Sequence, residues 1–143
     1  AAVRKRSPAS WSRTKDSGAG AFYLKLRKQG YQVFAVHPEA ETLHGDACYP
    51  NLGAIPDGVD AVFIMNSPDV SEALVDEALR LGIKQIWMHN NTFMGSSVSQ
   101  VAVERCREAG ANVIAVGCPM MYLEPDLFHA CMRWVLRATR RMQ

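Results

Sequence analysis

The stretch Gly58-Val59-Asp60-Ala61-Val62-Phe63-Ile64-Met65-Asn66-Ser67-Pro68 decides the fold of this chain. It opens on a glycine, runs apolar without a break from Ala61 to Met65, and stops at a polar, proline-bearing tip. A strand covered on both faces reads this way, because a half-solvated strand alternates with polar residues. Three other stretches share the plan: Gly30-Tyr31 to His37-Pro38, Gly82-Ile83 to His89-Asn90-Asn91-Thr92, and Gly110-Ala111 to Gly117-Cys118-Pro119. Strands are expected over Tyr31 to Val36, Ala61 to Met65, Ile83 to Met88 and Asn112 to Val116. Between them lie segments of helical period, and that alternation implies βαβ units and a parallel sheet.

Working outward, Ala1-Ala2-Val3 reads as a first strand, followed by a loop over Arg4 to Ser17 and a helix over Gly18 to Gln29. Residues 39 to 57 form a polar connection pinned by Leu43, Tyr49, Leu52 and Ile55 as a loop or single turns at the sheet edge. After Pro68, the pair Asp69-x-x-Glu72 resembles a capping box, and Val70, Ala73, Leu74, Ala78 and Leu81 draw an apolar stripe. Further helices are expected over Val98 to Ala109 and from about Asp126 to Ala138. The last carries Leu127, Cys131, Trp134, Val135 and Ala138 on one side and Arg133, Arg137, Arg140 and Arg141 on the other. The sum is an α/β, Rossmann-like, doubly wound domain: a five-stranded parallel sheet with helices on both faces, residues 1 to 143 forming a single domain. Ligands of such sheets sit outside the carboxyl ends of the strands, so the polar tips are candidate contacts.

At 143 residues the chain fits one domain able to bury a core without disulfide or metal support. The 48% hydrophobic content falls in short runs, none approaching the roughly 18 consecutive apolar residues of a membrane span. No apolar signal core follows the basic start, so a cytoplasmic location is expected. Cys48, Cys106, Cys118 and Cys131 form no C-x-x-C pair and read as reduced thiols. With 16 basic against 14 acidic residues the totals give no argument for nucleic acid. Basic residues do gather at both ends, with Arg4, Lys5, Arg6, Arg13 and Lys15 all preceding the first acid, Asp16.

A set of matching residues then carries a family resemblance from about Tyr23 to Trp134. It comprises Gly30-Tyr31-Gln32-Val33-Phe34-Ala35-Val36-His37-Pro38, Cys48-Tyr49-Pro50-Asn51-Leu52 and Ile55-Pro56-Asp57-Gly58-Val59-Asp60. Glu77-Ala78-x-x-x-Gly82-Ile83, Ile86-Trp87-Met88 and Cys118-Pro119-Met120-Met121 continue it. In order and spacing the chain resembles the small, single-domain coenzyme A-binding proteins, whose fold is shared with the succinyl-CoA synthetase α subunit. Family members place a Gly-x-Ser-like turn after strand one, understood to cradle the cofactor's diphosphate, where this chain reads Arg4-Lys5-Arg6-Ser7. The family's N-terminal helix is also missing. A shortened N-terminus, or a break in the chain near Arg4, would account for both departures.

The resemblance implies coenzyme A, or an acyl-CoA, as ligand. Lys5, Arg6, Arg13 and Lys15 would neutralise its phosphates, since Arg pairs bidentately with phosphate and Lys acts as a point charge. Ser7 adds a hydroxyl, and Gly18 and Gly20 offer a replacement cradle after a longer loop. His37, with Pro38 beside it, and His89 end strands on the ligand side, where either ring could meet ribose or phosphate. Asn66, Ser67 and Pro68, with Asn90, Asn91 and Thr92, suit an uncharged adenosine or pantetheine chain. Local backbone satisfaction competes for the histidines, and helix capping for Ser67. Cys118 could form a mixed disulfide with the pantetheine sulfur, against the reading of a buried inert thiol.

No carboxylate pair, activated nucleophile or metal cluster emerges, so a carrier, sensor or regulator is expected rather than an enzyme. An NAD(P)-binding oxidoreductase or redox sensor is the competing reading. It lacks G-x-G-x-x-G, and His37-Pro38 stands where an acid would hold the ribose. A ligand-free interaction module on the same fold is the third. Met120, Met121, Tyr122, Phe128 and Trp134 cluster after the last strand and point to a homodimer.

Overall fold

The computed structural model describes residues 2–3, 18–91 and 95–117. Among them the elements run β1 (Ala2–Val3), α1 (Gly18–Lys28), β2 (Val33–Val36), β3 (Thr42–Leu43), β4 (Asp46–Tyr49), β5 (Ala61–Ile64), α2 (Pro68–Arg80), β6 (Gln85–Met88), β7 (Asn90–Asn91), β8 (Gly95–Ser96), α3 (Gln100–Glu108) and β9 (Asn112–Ile114). A single 3₁₀ turn, Leu52–Ala54, precedes β5. The result is an α/β fold whose strands lie in the order β3-β4-β2-β1-β5-β6-β9, with β7 and β8 as a separate pair. The expected helix over Asp126 to Ala138 lies outside the described residues.

Parallel pairing holds β5, β6 and β9 in register, Ala61 beside Gln85 beside Asn112 and Phe63 beside Trp87 beside Ile114. Alternation along these strands then separates two faces. Val62, Ile64, Ile86 and Met88 are buried with α2 and α3, whose Leu74, Val75, Ala78, Val103 and Cys106 complete that core. On the other face α1 contributes Phe22, Tyr23 and Leu26 over Val33, Ala35 and Leu43. The Phe22 and Phe63 rings meet there at 5.0 Å between centroids.

Three of the punctuating glycines have one cause. Gly30, Gly82 and Gly110 take φ of 84°, 75° and 64° just past the ends of α1, α2 and α3. The following amide donates back across each turn, Tyr31 to Leu26, Ile83 to Ala78 and Ala111 to Cys106. That six-to-one bond defines a Schellman end, whose left-handed residue disfavours any Cβ. Tyr31 and Gln32 are spent leaving α1, so β2 begins at Val33 rather than Tyr31.

Several expectations need correction. The five-stranded all-parallel sheet is not what the described residues form. Ala2–Val3 lies between β2 and β5 and runs antiparallel to both, with Ala2 opposite Phe34 and Val62. A two-residue strand need only satisfy the backbone groups facing it, and either direction does so. Residues 39–57 are not just loop and turns. Leu43-His44-Gly45-Asp46 is a two-residue hairpin with His44 at φ 51° and Gly45 at φ 87°, the positive pair that matches strand twist. Beyond it β4 pairs parallel with β2 through Ala35–Cys48 and Val36–Tyr49.

In α2 the buried stripe is Ser71, Leu74, Val75 and Ala78, whereas Ala73 and Leu81 are exposed. The expected capping box is absent. Ser67 is the N-cap with Pro68 in the first turn, and no side chain caps the helix. The Glu72 carboxylate instead accepts from Ser99 Oγ at 2.6 Å.

Candidate functional site

All of the parallel strands finish at one end of the sheet. α1 leads into β2 through the short connection at Gly30, so its N-terminal turn, with Gly18 and Gly20, lies at that same end. Gly18 and Gly20 are helical, as the expected helix from Gly18 has them. The amides of a first helical turn have no intrahelical acceptor and carry the positive end of the helix dipole.

His37 ends β2 and is only 7% exposed. Its Nδ1 accepts from the amides of Glu39 at 3.0 Å and Ala40 at 3.1 Å, so the ring organises its own turn. Its backbone N–H donates to the Tyr49 carbonyl at 2.8 Å, which extends the β2–β4 ladder to the tip. Pro38 beside it is exposed.

At the tip of β5 the centre is a residue that sequence reading passed over. Ser71 is fully buried within the otherwise apolar stripe of α2. Its Oγ lies 2.6 Å from the Ser97 carbonyl, 3.1 Å from the Ser67 carbonyl and 2.9 Å from Asn66 Oδ1. One hydroxyl has one proton, and the shortest contact claims it for Ser97. Asn66 Nδ2 is buried with no hydrogen-bond partner. A 180° turn of the amide would let its NH₂ donate to Ser71 Oγ and leave the oxygen in that place instead. The signal in the sequence was a serine at helical spacing with Leu74, Val75 and Ala78, where an apolar residue belongs.

His89, at the tip of β6, is a junction. Its N–H donates to the Ile64 carbonyl at 2.8 Å and its own carbonyl accepts from the Ser97 amide at 2.7 Å. The half-buried ring has its pKa pushed below the ordinary imidazole value by burial, which favours the neutral form. Next to it the Asn90 amide donates to the Gly117 carbonyl at 3.2 Å, and Nδ2 to the Ala115 carbonyl at 3.3 Å. Asn90 thereby ties the tips of β6 and β9. Asn91 pairs with Gly95 in the β7–β8 ladder.

The structure thus gathers Asn66, Ser67, Pro68, His89 and Asn90 at adjacent tips of β5 and β6. His37 and Pro38 stand at the tip of β2, and Gly18 and Gly20 begin the covering helix. Lys5, Arg6, Ser7, Arg13, Lys15, Thr92 and Cys118 lie outside the described residues. Cys48 and Cys106 are free thiols, both held protonated by burial, which pushes their pKa up. No group of three or more His, Cys, Asp or Glu suited to a metal ion occurs among the described residues. No helix there is long and apolar enough to cross a membrane.

The sequence model of the CoA binding domain matches residues 10–124. Among solved structures, a hypothetical protein from Pyrococcus horikoshii OT3 is 28% identical with a TM-score of 0.71, over 82% of this chain and 80% of that one. A protein from Thermus thermophilus is 26% identical with a TM-score of 0.64, over 82% and 86%. A dinucleotide-forming acetyl-coenzyme A synthetase from Ca. Korarchaeum cryptofilum is similar at 22% identity and a TM-score of 0.64. That likeness covers 78% of this chain but 25% of the synthetase, and it shows the fold alone.

Proposed function

Because this chain belongs to the CoA binding domain family, we propose that it binds coenzyme A or an acyl-CoA across its strand tips, as a carrier, sensor or regulator. The observation that carries the reading is the unpaired buried amide atom of Asn66. A buried polar group without a partner costs about 1–3 kcal/mol, and a ligand that supplies the missing bond removes that cost. The polar stretch of a pantetheine chain, with amides that both donate and accept, fits either orientation of Asn66. The first turn of α1, with Gly18 and Gly20, is assigned to the diphosphate, because glycine admits close approach and a helix N-terminus carries the positive end of the dipole.

The charged loop is assigned to the phosphates, with Lys5, Arg6, Arg13 and Lys15 as cations and Ser7 as a hydroxyl donor. Ser67, Pro68, Asn90, Asn91 and Thr92 shape the walls, with His37 and Pro38 bounding the β2 side and His89 presenting a neutral ring. Cys118 is assigned to the pantetheine sulfur in this reading. Bound CoA would supply a thiol or thioester, and the residues named here hold it rather than transform it. A cytoplasmic location and a homodimer joined through Phe128 and its neighbours go with this reading.

Titration calorimetry tests the assignment. CoA should bind saturably and NAD more weakly, and saturable NAD binding without a response to CoA would overturn it.

A further inference from the structure

β2 and β4 pair at Ala35–Cys48 and Val36–Tyr49, and toward their starts they part. A cleft of about 500 Å³ opens there, at the end of the sheet opposite the strand tips, lined in part by Tyr23, Arg27, Tyr31, Phe34, Asp46 and Tyr49. Its size lies within the roughly 300–1,000 Å³ of small-molecule sites. Aromatic side chains share its walls with Arg27, Gln32 and Asp46. Tyr31 is 39% exposed, and Phe34 and Tyr49 stand edge to face at 5.7 Å.

The polar groups of the cleft are fixed and only partly used. Asp46 Oδ2 accepts from the Tyr23 hydroxyl at 2.7 Å and also from Arg27. The Arg27 guanidinium is further held 5.8 Å from the centre of the Tyr23 ring. Tyr23 is buried, and burial together with Asp46 raises its pKa well above the ordinary 10.0, so it stays a donor. Asp46 Oδ1 takes no hydrogen bond among the described residues, and Arg27 spends one of its several N–H donors on Asp46. A free acceptor therefore stands beside free donors, and the two charges cancel. With the charges cancelled, the pair offers an isolated anion or cation little net attraction. It favours a neutral group presenting a donor next to an acceptor. Aromatic walls add the requirement that the group be flat.

We propose that this lower cleft is a second ligand site, for a neutral planar nitrogen heterocycle with a hydrogen-bond donor and acceptor on one edge. Asp46 takes the donor, Arg27 gives to the acceptor, and Tyr31 stacks on the ring. The site is separate from the strand tips and does not depend on what binds there.

The test is an amide-resolved NMR titration of the full chain with 2-aminopyrimidine, with and without saturating CoA. The expected result is saturable shifts at the amides of Tyr31 to Phe34 and of Ala47, unchanged by CoA. Tyr31→Ala should weaken the response about tenfold, as loss of one ring stack does, while CoA affinity stays at the parent value. No saturable shift at those amides would overturn the proposal. Shifts that CoA abolishes, or a Tyr31→Ala variant that binds as well as the parent, would do the same.

Discussion

Ser71 Oγ and Asn66 Oδ1 sit 2.9 Å apart, with the single Ser71 proton drawn toward the Ser97 carbonyl at 2.6 Å. With the amide turned so that Asn66 Nδ2 donates to Ser71 Oγ, a helix side chain and a strand-tip side chain are joined and the Asn66 amide is held in place. An amide held this way reaches a ligand without having to be ordered on binding, and part of the usual entropic cost is absent.

Asn66→Ala is therefore expected to weaken CoA about three- to tenfold, the worth of one net hydrogen bond. Calorimetry gives the affinity and thermal melting gives the stability. An unchanged affinity would remove Asn66 from the site, whatever its effect on folding.

Ser99 has two partners, donating to Glu72 at 2.6 Å and accepting from the Ala102 amide at 3.3 Å. It joins the N-cap of α3 to the second turn of α2. Ser99→Ala should cost about 1–2 kcal/mol in urea unfolding, the upper range for a lost cap. Glu72→Gln should cost less, because a neutral amide oxygen still accepts from the hydroxyl.

His89 sets an acid dependence. Its folded pKa lies below the unfolded value near 6.5 because burial disfavours the imidazolium. The unfolded chain then takes up the proton first, and the stabilisation present above about pH 6.5 is lost as the pH falls. Denaturation midpoints should drop between pH 7 and pH 5, and His89→Gln should flatten that part of the profile. An unaltered slope in the variant would assign the acid sensitivity to other groups.

The proposed role of the basic loop can be tested by removing its charges. Neutralising Lys5 and Arg6 together should weaken CoA more than dephospho-CoA if they meet the 3′-phosphate, with about 1.5–3 kcal/mol for each charge-assisted bond. Equal losses would move them to the diphosphate. No loss for either ligand would leave the loop as solvated surface.

Legibility in the sequence followed the range of the interactions. The runs at Ala61–Ile64 and Gln85–Met88 were readable because each strand's own composition reports that both faces are covered. Gly30, Gly82 and Gly110 were readable as boundaries because a positive φ is a local requirement. The tips at Asn66–Pro68 and His89–Asn90 followed directly, since they are where those runs stop. The β3–β4 hairpin was not read, because His44-Gly45 is a weaker turn signal than Asn-Gly, and β4 is fixed by pairing with β2, more than ten residues away.

By itself the sequence determined the alternation of strands and helices, the helix ends and the polar character of the strand tips, all of which depend on near neighbours and on side-chain period. Only the tertiary structure decided that β1 runs antiparallel between β2 and β5, that Glu72 serves Ser99 rather than its own helix, and that His37 is spent on its own turn. It alone left an atom of Asn66 buried and unpaired. Hydrogen-bond partners are chosen by distances between segments far apart in the chain, and one residue's type cannot record which of several donors or acceptors will arrive within 3 Å of it.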